Sequence, residues 1–419
     1  MAETLRTVDN NAAYAIVKAS YKQAVGDAAV DTITLDDFTD HGVAYASLTM
    51  GRDKFMKALI DQVVNFYTDE AYRDEFNDPY YVESRRFANV CQMIDVQSPE
   101  AQESHAWKNL APVYNETTQQ YDKVTIGTYQ VSPPITTAKY FLKSVSYEIP
   151  LAITEEQETD AFKSSEELRG FIDYVFLVVN NALAQHRRDL SDQNRNSLIA
   201  SKILYAASQG AKGIHVVNLL TEYNSQRGGN LTTVAGFLSD PAACRFASAQ
   251  IQLYEKYLRN QSALFNTEGK VKFVPRDRMV VEVNSAFENA LNECAYSTTF
   301  HDELIALPNY RSVPAWQGFG VTDALASTKA AAFDQVTKID VSIDAGDVEK
   351  SGIVALMADK LACMHTIRQR DTVSQYFPME HVTLYAFQSR DQFLVNLAQN
   401  AVVFTLEAPA NAGGGGGES

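Results

Sequence analysis

The chain has little of what catalytic and nucleic-acid-binding proteins usually display. Cysteine is scarce: Cys91, Cys244, Cys294 and Cys363 are the only four in 419 residues. They form no CxxC pair, so reduced, mostly buried thiols are expected rather than a disulfide framework or a zinc site. No GxxxxGK[ST] loop, GxSxG elbow, HExxH pair or GxGxxG turn is present. The seven histidines (positions 41, 105, 186, 215, 301, 365 and 381) never fall at i,i+4 on one helix. Long apolar runs are missing too. The longest clean one, Tyr174 to Val179, is far too short to cross a bilayer. The start MAETLRTVDNN has no charged-then-apolar signal pattern, so the N-x-S/T triplets at Asn115, Asn230 and Asn260 carry no weight. A soluble protein made in a reducing cytoplasm is expected. Positive charge is in deficit, 36 Lys+Arg against 52 Asp+Glu for a net charge of −16. That argues against a sequence-independent nucleic-acid binder, which needs excess cations to neutralise phosphates.

What is there suffices for a large core: 46% of residues are hydrophobic. The length suggests two or three domains, or one fold with large excursions. Residues 1–49 read as an arm, with a short helical stretch and then an Asp/Thr-rich segment. In residues 50–67, Phe55, Leu59, Val63 and Phe66 recur at helical spacing. Residues 84–96 are a strand candidate. Residues 138–149 are a stronger one, because Phe141, Val145, Tyr147 and Ile149 alternate with Ser144, Ser146 and Glu148. Between them lie about forty residues poor in Leu, Ile and Val, a long span without a core of its own. A two-stranded ribbon projecting from the body explains it. A lone ribbon is marginal in water, so it needs another subunit to lie on.

Ser164-Ser165-Glu166-Glu167 fits a capping box. Leu168, Phe171, Ile172, Val175, Val179, Ala182, Leu183, His186 and Leu190 follow it in steps of three and four, one face of a long amphipathic helix that can run to Ser208. Phe176 and Leu177 widen the apolar surface, which predicts cover on more than one side. Residues 211–349 read as mixed α/β. Ser239 or Asp240 could cap a helix through Tyr257, Met279–Val283 is a buried-strand candidate followed by a short helix, and prolines and glycines mark a loop around Trp316. Residues 350–407 return to short strands at Gly352–Leu356, Thr383–Phe387 and Ala401–Glu407. The tail APANAGGGGGES is expected to be flexible.

Candidates for chemistry are few. His186 lies on the apolar face of the long helix and reads as a satisfied core or interface histidine. Asp340, Asp344, Asp347 and Glu349 lack cation-loop spacing and read as a solvated acidic loop. His301-Asp302-Glu303 could do acid–base work, but nothing nearby supplies a nucleophile. The Arg pairs Arg85-Arg86 and Arg187-Arg188 read either as surface solvation or as ion pairs across a subunit interface.

The order of elements is arm, short helix, ribbon, long capped helix, α/β domain and closing strands. It resembles the major capsid protein of tailed bacteriophages, with its HK-ninety-seven-type fold. TTAKYFLKSVSYEIPLAITEEQETDAFKSSEELRGFIDYVF is similar to the ribbon-to-spine passage of phi-twenty-nine-like and related gut-phage head proteins. EKSGIVALMADKLACMHTIRQRDTVSQYFPMEHVTLYAFQSRDQFLVNLAQNAVVFTLE is similar to their closing passage. The likeness covers roughly residues 50–407. It implies an α+β fold: an N-terminal arm (1–49), a peripheral domain (50–83 and 150–208, with the spine helix), an extended loop (84–149), an axial domain (209–349), closing strands (350–407) and a tail (408–419).

The resemblance further implies a non-enzymatic subunit that self-assembles into hexamers and pentamers of an icosahedral shell around packaged double-stranded DNA, without sequence-specific binding, cofactor or metal. The virion capsid would be its location, assembled in the host bacterial cytoplasm. A portal is the implied partner. Lacking a long N-terminal helical extension, the chain would use a separate scaffolding protein or none, and decoration proteins are possible partners. Candidate inter-subunit contacts are Arg85, Arg86, Phe141, Lys143, Tyr147, Arg187 and Arg188. Some relatives crosslink lysine to asparagine, a role for which Lys123 and Asn396 or Asn400 are the candidates. The alternatives are an encapsulin-like compartment or other virion shell protein, and a soluble enzyme with its site near His301. For a shell, the charge of −16 implies a lining that lets DNA slide and an assembly that strengthens as salt screens repulsion.

Overall fold

A computed structural model of the chain describes residues 78–82, 91–97, 114–115, 117, 120–121, 135–141, 144–157, 165–208, 212–296, 310–317 and 329–408. The arm, the 50–67 helix, Arg85, Arg86, Lys123, Lys143, Ser164, the His301–Glu303 triplet and the glycine tail lie outside the described residues. The chain divides into two compact units, one of residues 88–142 and one of residues 1–87 and 143–419.

The smaller unit is a ribbon. Strand β1 (Cys91–Gln97) pairs antiparallel with β4 (Ile135–Phe141), with Cys91 opposite Phe141 and Gln97 opposite Ile135. Between them β2 (Tyr114–Asn115) pairs with β3 (Gln120–Tyr121). Ile94 and Tyr140 are exposed. Their cross-strand partners, Ala138 and Gln92, place both on one side of the ladder.

The larger unit begins its described sheet structure with β5 (Ser144–Thr154). Val145, Tyr147, Ile149, Leu151 and Ile153 turn inward, while Ser146, Glu148, Pro150, Ala152 and Thr154 are exposed, the period-two pattern that the sequence carries. β5 belongs to this unit and not to the ribbon. The sequence assigns residues 84–149 to the extended loop, and the smaller compact unit spans residues 88–142. The alternation continues across that boundary, so periodicity alone could not mark it.

Helix α1 (Ser165–Ala207) has 43 residues, about 64 Å at 1.5 Å per residue. Val175, Val179, Leu183, Leu198 and Ile199 are buried on it. Tyr174 and Leu177 are exposed, so the predicted second covered side is absent from this protomer at Leu177. The chain continues through β6 (Val216–Asn218), α2 (Leu219–Arg227), α3 (Val234–Ser239), α4 (Pro241–Arg259), β7 (Met279–Asn284), α5 (Ser285–Tyr296), β8 (Arg311–Val313) and α6 (Lys329–Val336). Asp240 caps α4, accepting from the Ala242 N–H at 2.9 Å with Pro241 at the first helical position. The hairpin β9 (Ile339–Ile343) and β10 (Gly346–Lys350) leads into β11 (Ile353–Asp359).

The closing region holds longer strands than the sequence suggests: β12 (Cys363–Phe377) and β13 (Val382–Val395), then β14 (Ala401–Thr405). Polar residues on the open face of β12 and β13 interrupt any apolar run, which hid their length. β12, β13 and β5 form an antiparallel three-stranded sheet.

A five-stranded sheet in the order β6-β14-β11-β7-β8 draws strands from both sides of residue 350. A boundary between axial and closing segments there cuts through one sheet. Its central strands are buried on both faces, which is why β11 and β14 read as unbroken apolar runs. Met357, Val402 and Phe404 pack on one side with α2, α4 and α5, through Leu220, Ile251 and Phe287. Leu356, Ala358 and Val403 pack on the other with Leu198 and Ile199 of α1 and with Trp316.

Gly352 enters β11 at φ +78°, where an added Cβ would sit 2.5 Å from the Leu406 carbonyl oxygen. Gly352→Ala is expected to destabilise the sheet by about 2 kcal/mol or more through left-handed strain and this clash. Chemical denaturation reads it, and a change within error of zero would contradict the close approach.

Candidate assembly core: buried charges along the long helix

Helix α1 carries three cations into the interior. Arg187 is 1% exposed, Arg195 2% and Lys202 0%. The sequence frames Arg187 as a surface or interface group; the structure corrects this. Turned inward from the helix, Arg187 donates from Nε to the Tyr147 hydroxyl at 3.1 Å and lies 3.5 Å from Asp391 Oδ2. Tyr147 donates to the same Asp391 oxygen at 2.9 Å, and its ring meets His186 edge-on at 4.3 Å between centroids. Ser389 donates to Asp391 Oδ1 at 2.8 Å. Burial pushes the Asp391 carboxyl up, but His365 and Arg187 outweigh it and hold it at about 2.

His365 joins this cluster from β12. Its Nε2 lies 3.6 Å from Asp391 Oδ2 and its Nδ1 3.3 Å from Asp78 Oδ2, and its ring stacks on Phe393 at 4.4 Å. Burial opposes a charged imidazole here, yet the two carboxylates raise its pKa above the ordinary value. Around it, residues 78–82 run as a strap on the edge of β12. His365 N–H donates to Tyr80 O at 3.1 Å and Val82 N–H donates to His365 O at 2.9 Å. Asp78 and Asp391 balance His365 and Arg187 two for two, which makes burial of four charges tolerable.

One stretch further along the helix, Arg195 lies 3.6 Å from Glu282 Oε1 and 2.8 Å from Asp192 Oδ1. Its guanidinium sits 5.0 Å over the Trp316 ring. Glu282, in the middle of the apolar strand β7, also accepts from Tyr80 Oη at 3.0 Å and faces Arg311 at 3.5 Å. Burial raises the Glu282 carboxyl, and Arg195 and Arg311 offset part of that rise. The Trp316 loop is thereby a core element: its indole N–H donates to Ile353 O at 2.7 Å, and its carbonyl accepts from Asn196 Nδ2 at 2.6 Å.

Lys202 differs, because among the described residues no carboxylate forms an ion pair with it. Nζ donates to the Phe265 carbonyl at 3.0 Å and lies 3.3 Å from His215 Nδ1. His215 Nε2 faces the Lys212 carbonyl at 2.8 Å, which assigns the ring proton to Nε2 and leaves Nδ1 to accept from the lysine. Burial lowers the Lys202 pKa to about 7.

Of the other expected contact residues, Phe141 is half-buried at the ribbon's end and Arg188 is exposed. Among the described members of that set, the structure brings together Tyr147 and Arg187. Asn396 and Asn400 are buried and engaged: Asn396 Oδ1 accepts from Ala398 N–H at 3.1 Å, and Asn400 Oδ1 accepts from Asn266 Nδ2 at 3.1 Å. Both carboxamides are engaged within the protomer, and Lys123, the lysine expected to pair with them, lies outside the described residues. Asp78, Arg195, Lys202, Glu282, His365 and Asp391 were missed. A signal existed for some: Glu282 interrupts Met-Val-Val-Glu-Val, and Arg187 continues the steps of four set by Val179 and Leu183. Chemically the arrangement around Arg187 and Arg195 holds its charges in closed pairs, whereas Lys202 has only neutral partners. It pins the strap, strands β5, β7, β12 and β13 and the long helix into one body.

The chain matches the family model of the Phi29-like phage major capsid protein over residues 12–405. No curated protein matches it. Among solved structures it is similar to the capsid of Staphylococcus phage Andhra, with TM-score 0.48 and 10% identity over 79% of this chain and 83% of that one. It is similar to the capsid of the Cyanophage P-SCSP1u, at 0.40 and 10% over 80% and 88%. The Cyanophage Pam1 capsid gives 0.37 and 11% over 82% and 93%.

Proposed function

The chain belongs to the Phi29-like phage major capsid protein family, and from that premise we propose that its copies close into hexamers and pentamers of an icosahedral shell around packaged double-stranded DNA. The family match carries this reading. The ribbon supports it physically. Two paired strands with Ile94 and Tyr140 exposed on one side bury little of their own surface, and gain stability only by lying on something else. A neighbouring copy supplies that surface in every position of a closed ring. Phe141 in β4, Lys143, Arg85 and Arg86 nearby in sequence and Arg188 on the helix are the proposed contact residues, and the subunit acts without catalysis. A portal and a separate scaffolding protein are the proposed partners, and the host cytoplasm the place of assembly.

Electron microscopy of the purified protein tests this. Wild type is expected to form closed shells, and Ile94→Asp with Tyr140→Asp is expected to cut shell yield about tenfold while leaving the circular-dichroism spectrum of the subunit unchanged. A wild-type protein that stays monomeric or dimeric under every assembly condition would sink the proposal.

A further inference from the structure

After α4, residues 260–275 fold into a finger closed by a β-bridge between Ser262 and Lys272, whose N–H and C=O groups exchange hydrogen bonds at 3.0 Å. Val271 and Phe273 flank Lys272 in that bridge, so they point to one side, and they are 62% and 53% exposed. Leu264 on the same finger is exposed, as are Leu253 and Tyr257, one turn apart on α4. Five large apolar side chains open to solvent on one segment are too many for incidental exposure. Charge marks the segment as well. Residues 253–278 hold six cations (Lys256, Arg259, Lys270, Lys272, Arg276 and Arg278) against Glu255, Glu268 and Asp277; Arg278 pairs with the buried Asp359, which leaves a local net of +2 in a chain of −16.

The opposite pattern lies on the β9–β10 hairpin. Residues 339–350 hold Asp340, Asp344, Asp347 and Glu349 against Lys350, a local net of −3. All four acids are exposed. Lys338 satisfies Glu349 at 2.5 Å, and Ser342 donates to Asp347 at 2.5 Å. Asp340 and Asp344 carry no ion pair among the described residues, and Ala345 tips the turn between the strands. Two surfaces of one chain thus have complementary charge and are separate stretches of the larger unit. That is what a head-to-tail contact between identical copies requires.

We propose that the 253–278 finger of one copy docks on the 339–350 hairpin of the next copy around a ring, the cations of the finger meeting Asp340 and Asp344 while Leu264, Val271 and Phe273 leave water. This rests on the shell reading and names one of its contacts. The net charge of −16 opposes approach at long range. The opposite local charges attract within a Debye length of about 8 Å and fix the orientation of docking.

Charge reversal tests it. Lys256→Glu with Arg276→Glu, and separately Asp340→Lys with Asp344→Lys, are each expected to lower shell yield about tenfold at physiological salt, with circular dichroism and melting of the subunit unchanged. All four substitutions in one chain are expected to restore shells, because the pairing is then reversed and intact. Undiminished shells from either double variant would overturn the proposal. So would failure of the four-fold variant while both doubles remain folded. If wild type itself forms no shells, the shell reading falls and this contact with it.

Discussion

Asp391→Asn is expected to lower stability by about 3–5 kcal/mol, because it removes one anion from a buried group of four charges without changing shape. In the native chain the Asp391 carboxylate faces Arg187 at 3.5 Å and His365 at 3.6 Å and accepts from Tyr147 and Ser389. The amide leaves two cations against Asp78 alone. The pH dependence follows in sign. Asp391 is depressed from 3.8 to about 2, so its contribution is present above pH 4 and is lost as pH falls through 2. His365 is raised from 6.5, so its contribution is complete below 6.5 and is lost as pH rises through its folded pKa. The cluster therefore stabilises most between about pH 4 and 6.5, and Asp391→Asn is expected to flatten both limbs. Denaturant midpoints measured from pH 2 to 9 would check it. A variant with the same midpoint as wild type at pH 5.5 would show that the four charges do not act together.

Lys202→Met is expected to act in the other direction. The Lys202 ammonium is fully buried and its partners are a carbonyl and a neutral imidazole, neither of which carries the charge to offset its desolvation. Its pKa falls from 10.5 to about 7. Below pH 7 both folded and unfolded chains hold the proton, and the folded state bears the whole cost. Between 7 and 10.5 the unfolded chain binds more protons, so stability rises with pH and the cost fades. The shift corresponds to about 5 kcal/mol at 1.36 kcal/mol per unit. Loss of two hydrogen bonds returns roughly 2 kcal/mol of it. A net gain of about 3 kcal/mol at pH 6, shrinking steadily to pH 10, is the expected result for a methionine of similar length. A loss of stability at pH 6 would mean that the ammonium meets an anion after all.

Both substitutions show where sequence reading stops. The strand at 144–154 and the helix at 165–207 are written in spacing: period two for the one, steps of three and four for the other. The cap at Asp240 and the buried strand at Met279–Asn284 are local statements too. The charge balance tells against sequence-independent nucleic-acid affinity, and the run of elements leads to the capsid family. A resemblance of passages, however, says nothing of which arginine turns inward. Arg187 and Arg188 are neighbours of identical type; a turn of about 100° per residue on the helix sends one to Asp391, 204 residues later, and the other to solvent.

The excess of acid opened as a property of the whole chain, and the sequence determined that much: 52 anions against 36 cations, a long amphipathic helix, a ribbon without a core, and strands apolar enough to be covered on both faces. Only the tertiary structure decided how the charges are used. It buries Asp78, Asp391 and Glu282 against Arg187, Arg195 and His365, and leaves Lys202 among neutral partners. It also joins strands from before and after residue 350 into one sheet. The reason is range. Periodicity and capping act over a few residues and can be read in order. The ion pairs Arg195–Glu282, Arg187–Asp391 and His365–Asp78 join residues 87, 204 and 287 apart, and their energies depend on burial, which no stretch of sequence carries by itself.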